Sequence, residues 1–331
     1  MTGPSPDRRP LLVVLRALGL GDYLTGVPAL RALADAFPAH RRVLAAPAWL
    51  GPLVAHTGAV DALAPTPGLV PLAADLRHPD VAVDLHGRGP GSQPLLVEVA
   101  PRRLVAFAHS AIPETAGHPI WRPDEHEVHR WCRLLQESGI PADPGRLDLS
   151  PPPLPVTGPC AGRAGATVIH PGAASEARRW PVERFAAVAR HEQSEGRQVV
   201  VTGSRTETGR ARRLADLAGL PDDVVVAGRT DVLDLLALVG AAGRVVSGDT
   251  GVAHVATAVG TPSVVLFGPI PPAEWGPPPD RPWHRALWAG RRGDPHGDTV
   301  DPGLLELSVA DVIDALSRLP TAPPRPGAVP V

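Results

Sequence analysis

The chain alternates short apolar runs with longer segments in which apolar residues recur every three or four positions. Apolar, largely β-branched runs predict strands at Leu11–Leu15, 43–46, 81–85 and 103–107. Helical spacing predicts helices at 23–37, 50–57 and 127–138, the last stopped by Gly139. A proline-dense stretch at 150–158, SPPPLPVTG, then interrupts the pattern and reads as a linker or domain edge. The alternation restarts with strands at 166–170, 198–202 and 224–227, around Val245 and Val246, and at Ser263–Phe267. Helices are predicted at Val182–Ser194, 207–218 and 231–239, and after Gly251. Residues 269–302, rich in Pro, Gly, Arg and Trp, read as a long loop, and 308–319 as a closing helix. The ends, 1–9 and 320–331, read as a frayed lead and a disordered tail. Strands alternating with helices argue for parallel sheets covered on both faces. Two such halves of similar layout, without a sequence repeat between them, would place a ligand in a cleft at the carboxyl ends of their strands.

The most informative stretch is RVVSGDTGVAHVATAVGTPSVVLFG at 244–268. A strand ends in Gly248-Asp249-Thr250-Gly251 and a helix begins there, so the loop offers free backbone N–H groups and the positive end of a helix dipole. Taken alone, Asp249 and Thr250 read first as helix caps. His254, about one turn past Thr250, returns toward the same mouth, and a cap does not need it.

Composition narrows the picture. At 331 residues the chain has room for two domains, and 44% hydrophobic content with net charge -2 predicts a soluble globular protein. There is no basic excess for nucleic acid, and no apolar run reaches the ~18 residues of a membrane span. Cys132 and Cys160 form neither a disulfide framework nor a metal spacing, which makes a reducing cytoplasm the expectation. Apart from histidine, every basic residue is arginine, a bias of GC-rich coding.

Other loops carry candidate chemistry. Arg178 and Arg179, after His170-Pro171-Gly172, suit a forked phosphate clamp or a solvated surface pair. Glu207, following Gly203, suits a ribose hydroxyl or its own helix N-terminus. Near the start, Gly19-Leu20-Gly21-Asp22 fails as a dinucleotide fingerprint, lacking the third glycine at its offset. An acid there repels phosphate, so Asp22 points to chemistry on an uncharged hydroxyl, or caps its helix. Asp84-Leu85-His86-Gly87 leaves a strand, and His126-Glu127-Val128-His129 falls one residue short of the zinc-protease HExxH. Trp275, Trp283 and Trp288 suit stacking on a sugar or packing under the long loop.

These residues together resemble glycosyltransferase family nine, the ADP-heptose-using heptosyltransferases of the GT-B fold. The resemblance runs from Leu11 to about Leu319. It rests on Gly21-Asp22 with Pro28-Ala29-Leu30, Asp84-Leu85-His86-Gly87, His170-Pro171-Gly172 with Arg178-Arg179-Trp180-Pro181, Gly203 with Glu207, and Gly248 through His254. It implies an α/β GT-B fold with two Rossmann-like, doubly wound domains facing a central cleft. An acceptor domain would span 1–155, a nucleotide-sugar domain 156–306, a closing helix 307–319 and a proline-rich tail 320–331. It implies Asp22 as general base, Arg178 on the donor phosphate, Glu207 on the adenosine ribose, and Asp249, Thr250, Gly251 and His254 around the diphosphate and sugar. Gly21 and His86 fall on the acceptor side. The implied reaction is inverting transfer from an ADP-sugar, with no cofactor or metal, to a hydroxyl-bearing acceptor.

The chain departs from the family pattern at three places. Arg178 replaces the usual Lys, His86 the usual Gln, and the late cysteines of some members are missing from 269–302. The GC-rich coding also makes a small natural-product acceptor, such as a nucleoside or aminocyclitol, a counterpart to lipopolysaccharide. A sugar-nucleotide epimerase of the same architecture and a non-catalytic nucleotide-sugar binder are the alternatives, with a dehydrogenase set behind them. Oligomeric state stays open.

Overall fold

The computed structural model describes residues 9–320; the expected tail at 320–331, apart from Pro320, and most of the expected lead lie outside them. Two compact units part between Leu147 and Asp148, ahead of the proline-dense stretch. That stretch packs with the second unit: Leu149 donates its N–H to Ala258 O (2.8 Å), and Gly240 leaves room for Pro151, whose Cβ a side chain there would meet at 2.3 Å.

The first unit contains β1 (Leu11–Leu15), α1 (Leu20–Ala36), β2 (Arg41–Ala46), α2 (Gly51–Thr57), β3 (Ala62–Pro65), β4 (Val81–Asp84), α3 (Gln93–Glu98), β5 (Arg103–Val105) and α4 (Glu127–Glu137). Its five strands are all parallel in the order β3-β2-β1-β4-β5. Central β1 is apolar on both faces, and Leu12, Val13, Val14 and Leu15 are fully buried. The chain runs outward from β1 through β2 and β3, then crosses back to β4. The loops after β1 and β4 therefore diverge at the carboxyl edge, where doubly wound sheets bind ligands. In register, Leu15 stands opposite Asp84, so the two loops start side by side.

The second unit contains β6 (Thr167–His170), α5 (Val182–Ser194), β7 (Val199–Val201), α6 (Thr208–Ala218), α7 (Val232–Ala241), β8 (Arg244–Gly248), α8 (Gly251–Val259), β9 (Ser263–Phe267), α9 (Pro272–Trp275), β10 (His284–Trp288), α10 (Pro302–Glu306) and α11 (Val309–Ser317). The sheet order is β10-β9-β8-β6-β7, again all parallel. Its divergence point falls between β6 and β8, where His170 pairs in register with Ser247.

Several expectations need correction. The strand expected at 224–227 shrinks to one bridge, Val201 to Val225, because Pro221-Asp222-Asp223 first winds a 3-10 turn. The loop expected at 269–302 contains β10, which extends the sheet beside β9, as well as α9. β3 and α3 were not expected. The first helix starts at Leu20 rather than near residue 23, which moves Asp22 from the cap position into the first turn.

Candidate functional site

In the first unit, the loop after β1 leads straight into α1. Gly19 precedes the helix in extended conformation, and its N–H donates to Asp22 Oδ2 at 3.2 Å. Asp22 thus closes the first turn as a capping carboxylate while remaining half-buried. Burial raises its pKa above the ordinary carboxylate value and Glu127 adds to this, while the Arg16 guanidinium opposes it. Gly21 sits beside it in the same turn, half-buried.

The loop after β4 divides its polar residues. Asp84 is fully buried and makes a turn, accepting the His86 N–H at 2.9 Å and the Ser92 hydroxyl at 2.6 Å. Burial pushes its pKa up to about 6. It lines no surface, and only His86 of this pair is half-exposed. The His86 Nδ1 accepts the Ala17 N–H at 3.2 Å, which places the imidazole proton on Nε2. Burial, reinforced by Arg16, lowers its pKa to about 4, so the ring is neutral at physiological pH.

Sequence reading missed the residue beneath both loops. Arg16, the last step out of β1, is 1% exposed. Its Nε donates to Asp22 O (2.5 Å), its Nη1 to Leu85 O, and its Nη2 to Thr25 Oγ1 (3.0 Å) and Glu127 Oε1 (3.3 Å). The guanidinium carbon lies 4.9 Å from the Trp131 ring centroid. Gly26 on α1 makes room, since a Cβ there would meet Arg16 Nε at 2.8 Å. A charged residue directly after an apolar run was the available signal.

In the second unit, Arg178 ends a 3-10 turn and its Nη1 lies 3.6 Å from Asp249 Oδ2. Its Nε is buried with no hydrogen-bond partner among the described residues. Arg179 does not join it: its Nε donates to Ala173 O (2.9 Å) and its Nη1 pairs with Glu176 (2.7 Å), which also holds Arg210. The two arginines read as a clamp are therefore one loop strut and one cation left toward Asp249. Trp180 is fully buried against Phe185 with its Nε1 on Leu307 O (3.0 Å), so it is a core residue.

Asp249 is buried, and its N–H donates to Leu266 O. Thr250 occupies the N-cap of α8 in extended conformation and makes no cap bond with its own side chain. Gly251 opens the helix as its first residue. A Cβ on Gly248 would lie 3.1 Å from Arg178 O, so this glycine lets the two loops pack closely. His254 is half-buried one turn on, its ring edge-on to Trp275 at 5.8 Å. Trp275 and Trp288 pack against Ala253, Val265 and Phe267.

Glu207 closes the turn after β7, its Oε2 accepting the Ser204 N–H at 2.7 Å. It also faces His170 Nε2 at 3.9 Å, while His170 Nδ1 bonds Thr202 Oγ1 at 3.0 Å. Burial holds His170 below the ordinary imidazole value. Burial alone would raise Glu207, but His170 and Ser204 outweigh it and hold it ionised. Arg178, Asp249, Thr250, Gly251, Glu207 and His254 all lie on loops or first turns beyond carboxyl ends of this sheet. His126 and His129, the near-miss of a zinc motif, face each other edge-on at 5.5 Å, and His126 Nδ1 accepts the Val128 N–H to cap α4.

Residues 108–291 match the model of glycosyltransferase family 9 (heptosyltransferase). Lipopolysaccharide heptosyltransferase 3 of Escherichia coli is 32% identical over 161 residues, which are 46% of this chain and 46% of that protein. The chain thus matches about half the length of that curated relative. The structure of the E. coli ADP-heptose lipopolysaccharide heptosyltransferase II aligns with TM-score 0.70 at 20% identity, covering 92% of this chain and 97% of that one. An E. coli heptosyltransferase solved with ADP-2-deoxy-2-fluoro heptose aligns with TM-score 0.66 at 18% identity, covering 93% and 99%. The fold is accordingly the α/β GT-B fold expected from the sequence.

Proposed function

Since the chain belongs to glycosyltransferase family 9, we propose that it moves a heptose from an ADP-sugar to an acceptor hydroxyl with inversion at the anomeric carbon. The observation that carries this reading is the set at the start of α8: Arg178 stands 3.6 Å from Asp249, with its buried Nε unpartnered among the described residues, beside a helix start whose Thr250 does not cap it. A helix start with a neighbouring arginine suits a diphosphate. The heptosyltransferase relatives, one of them solved with an ADP-heptose analogue, supply the choice of sugar nucleotide.

In the proposed reaction, the acceptor oxygen attacks the anomeric carbon as its proton passes to an Asp22 carboxylate oxygen. The bond from the anomeric carbon to the β-phosphate oxygen breaks, and ADP leaves with the electron pair. Arg178 and the N–H groups of Thr250 and Gly251 stabilise that charge, so the scheme needs no metal. Glu207, held ionised, accepts from the ribose hydroxyls, while Asp249 and His254 contact the sugar side. A raised pKa suits Asp22 to taking a proton near neutrality. His86 presents its Nε2–H to the acceptor, where the family's usual Gln would also offer an oxygen.

The test is calorimetric titration with ADP, UDP, GDP and NAD in the presence of a chelator. ADP is expected to bind preferentially, with affinity lost in Glu207→Ala and weakened in Arg178→Ala. A preference for UDP or GDP would discard the heptose donor, and binding by none would end the transferase reading. With ADP binding in hand, ADP-heptose would be screened against small hydroxylated natural-product intermediates and a lipopolysaccharide core in parallel.

A further inference from the structure

We propose that Arg16 is a positioning residue that fixes the Asp22 loop and the His86 loop to one another and so sets the aim of the base. The proposal rests on the reading of Asp22 as the base. One buried side chain donates to the main-chain oxygen of Asp22 and to that of Leu85, the residue before His86. These are the loops after β1 and β4, which diverge and share no strand pairing beyond Leu15 and Asp84. The following residue, Ala17, then donates to His86 Nδ1 and fixes the imidazole's tautomer.

The guanidinium is itself held in place on its other sides. Glu127 of α4 takes one edge, and Glu127 is in turn bonded by Arg130 and by Trp131 Nε1 (2.7 Å). The Trp131 face lies against the guanidinium plane, and Gly26 supplies the space on α1. A buried arginine costs stability unless all its donors are used, and this one spends two of them on loop carbonyls. A core strut alone would not need both loops. The charged groups around the Asp22 and His86 side chains are Arg16 from β1, Glu127 from α4 and Asp84 from β4. Arg16 pulls Asp22 toward the carboxylate and His86 toward the neutral ring, while burial and Glu127 push Asp22 the other way.

Two variants separate placement from charge. Gly26→Ala keeps the charge but puts a methyl 2.8 Å from Nε, displacing the arginine. Arg16→Met with Glu127→Gln removes the charge and its main partner together, and Arg16→Lys serves as partial rescue. His86 imidazole titration is followed by NMR, independently of turnover, alongside kcat, KM, ADP affinity and thermal melting. In the double variant the His86 midpoint is expected to rise above about 4 only part of the way to the ordinary value, because burial, the larger cause of its lowering, remains. Gly26→Ala is expected to lower kcat by about 10²-fold, the order for an ångström of misplacement, with ADP affinity unchanged. The acidic limb of the rate profile should move to higher pH when Arg16 is lost and return part-way in Arg16→Lys.

A folded double variant with an unmoved His86 midpoint would reduce Arg16 to a core strut. So would a normal kcat in folded Gly26→Ala when Asp22→Asn is inactive. If instead Asp22→Asn keeps its turnover while the His86 midpoint moves in the charge-keeping Gly26→Ala, the base assignment fails and the coupling of the two loops stands.

Discussion

Gly172 and Glu207 occupy adjoining space: a Cβ built on Gly172 would lie 2.0 Å from Glu207 Oε1 and 2.3 Å from its Cδ. The glycine after β6 thus leaves the carboxylate its position across the loop mouth. Because that carboxylate ends a flexible side chain, Gly172→Ala should evict it without unfolding the unit. ADP affinity is then expected to fall about tenfold or more, matching a lost charged hydrogen bond, as in Glu207→Ala. Calorimetry on both variants, with melting curves as the control for folding, checks this. Unchanged ADP binding in both would confine Glu207 to closing its own turn.

Asp22→Asn separates catalysis from stability. Turnover should fall by about 10²–10⁴-fold, the range for loss of a general base. The folded state raises the Asp22 pKa, so it binds that proton more tightly than the unfolded chain. Its favourable contribution is present below the unfolded value and is lost as pH rises through the folded one. At neutral pH the ionised group is therefore a net cost, and the neutral amide, which still accepts from Gly19, should melt higher. The gain should vanish near pH 3. Equal melting at both pH values would refute the stability half of this prediction.

Asp84 gives the same sign over a defined window. Its carboxyl is fully buried and its pKa raised from 3.8 to about 6. Relative to Asp84→Asn, the wild-type protein should lose stability as pH rises from about 4 to about 6, and stay level above that. A melting series at constant ionic strength reads the difference directly. A difference that instead grows in favour of the wild type over this range would show that Asp84 is ionised and paired.

Trp180 tests the structural half of the Arg178-Arg179-Trp180-Pro181 motif. Trp180→Ala should cost about 3–5 kcal/mol, the usual price of emptying a buried aromatic site. Trp180→Phe should cost less, because Arg184 Nη1 also donates to the Leu307 oxygen that Trp180 serves (2.7 Å). Denaturant melts measure both. A folded Trp180→Phe should keep wild-type ADP affinity, since the indole lies in the core.

Fold class was legible because fully buried parallel strands read as continuous apolar runs. Leu11–Leu15 and Ser263–Phe267 were placed to the residue on that signal, and α5 (Val182–Ser194) on its helical spacing. The signal failed where an element draws its stability from a neighbour. β10 buries His284 and exposes Arg285 and Ala286 in succession, so it shows neither an apolar run nor alternation, and pairing with β9 makes it a strand. Residues 224–227 show the reverse, an apolar run with almost no strand to join. Candidate site residues stood out when they interrupted a strand–helix junction, as Asp22, Arg178 and Asp249 do. Arg16 did not stand out, because its role comes from the β4 loop and α4, 69 and 111 residues away in the chain. Residue type alone did not distinguish Arg178 from Arg179; the turn that brings Glu176 and the Ala173 carbonyl onto Arg179 makes that difference.

The truncated strand at Val225 also shields β7. That strand is Val199-Val200-Val201, and its outer side lies at the margin of the sheet. Residues 225–228 stand against it: Val226 donates to Val201 O and Gly228 to Gly203 O, each at 2.9 Å. Stripped of this cover, an all-valine margin would offer its open carbonyls to a second chain as a template for self-association. Val226→Pro, which cannot donate to Val201, should therefore scatter light on heating at temperatures where the wild type stays clear. The few residues that fail to become a strand are, on this view, what keeps the sheet from growing beyond its own molecule.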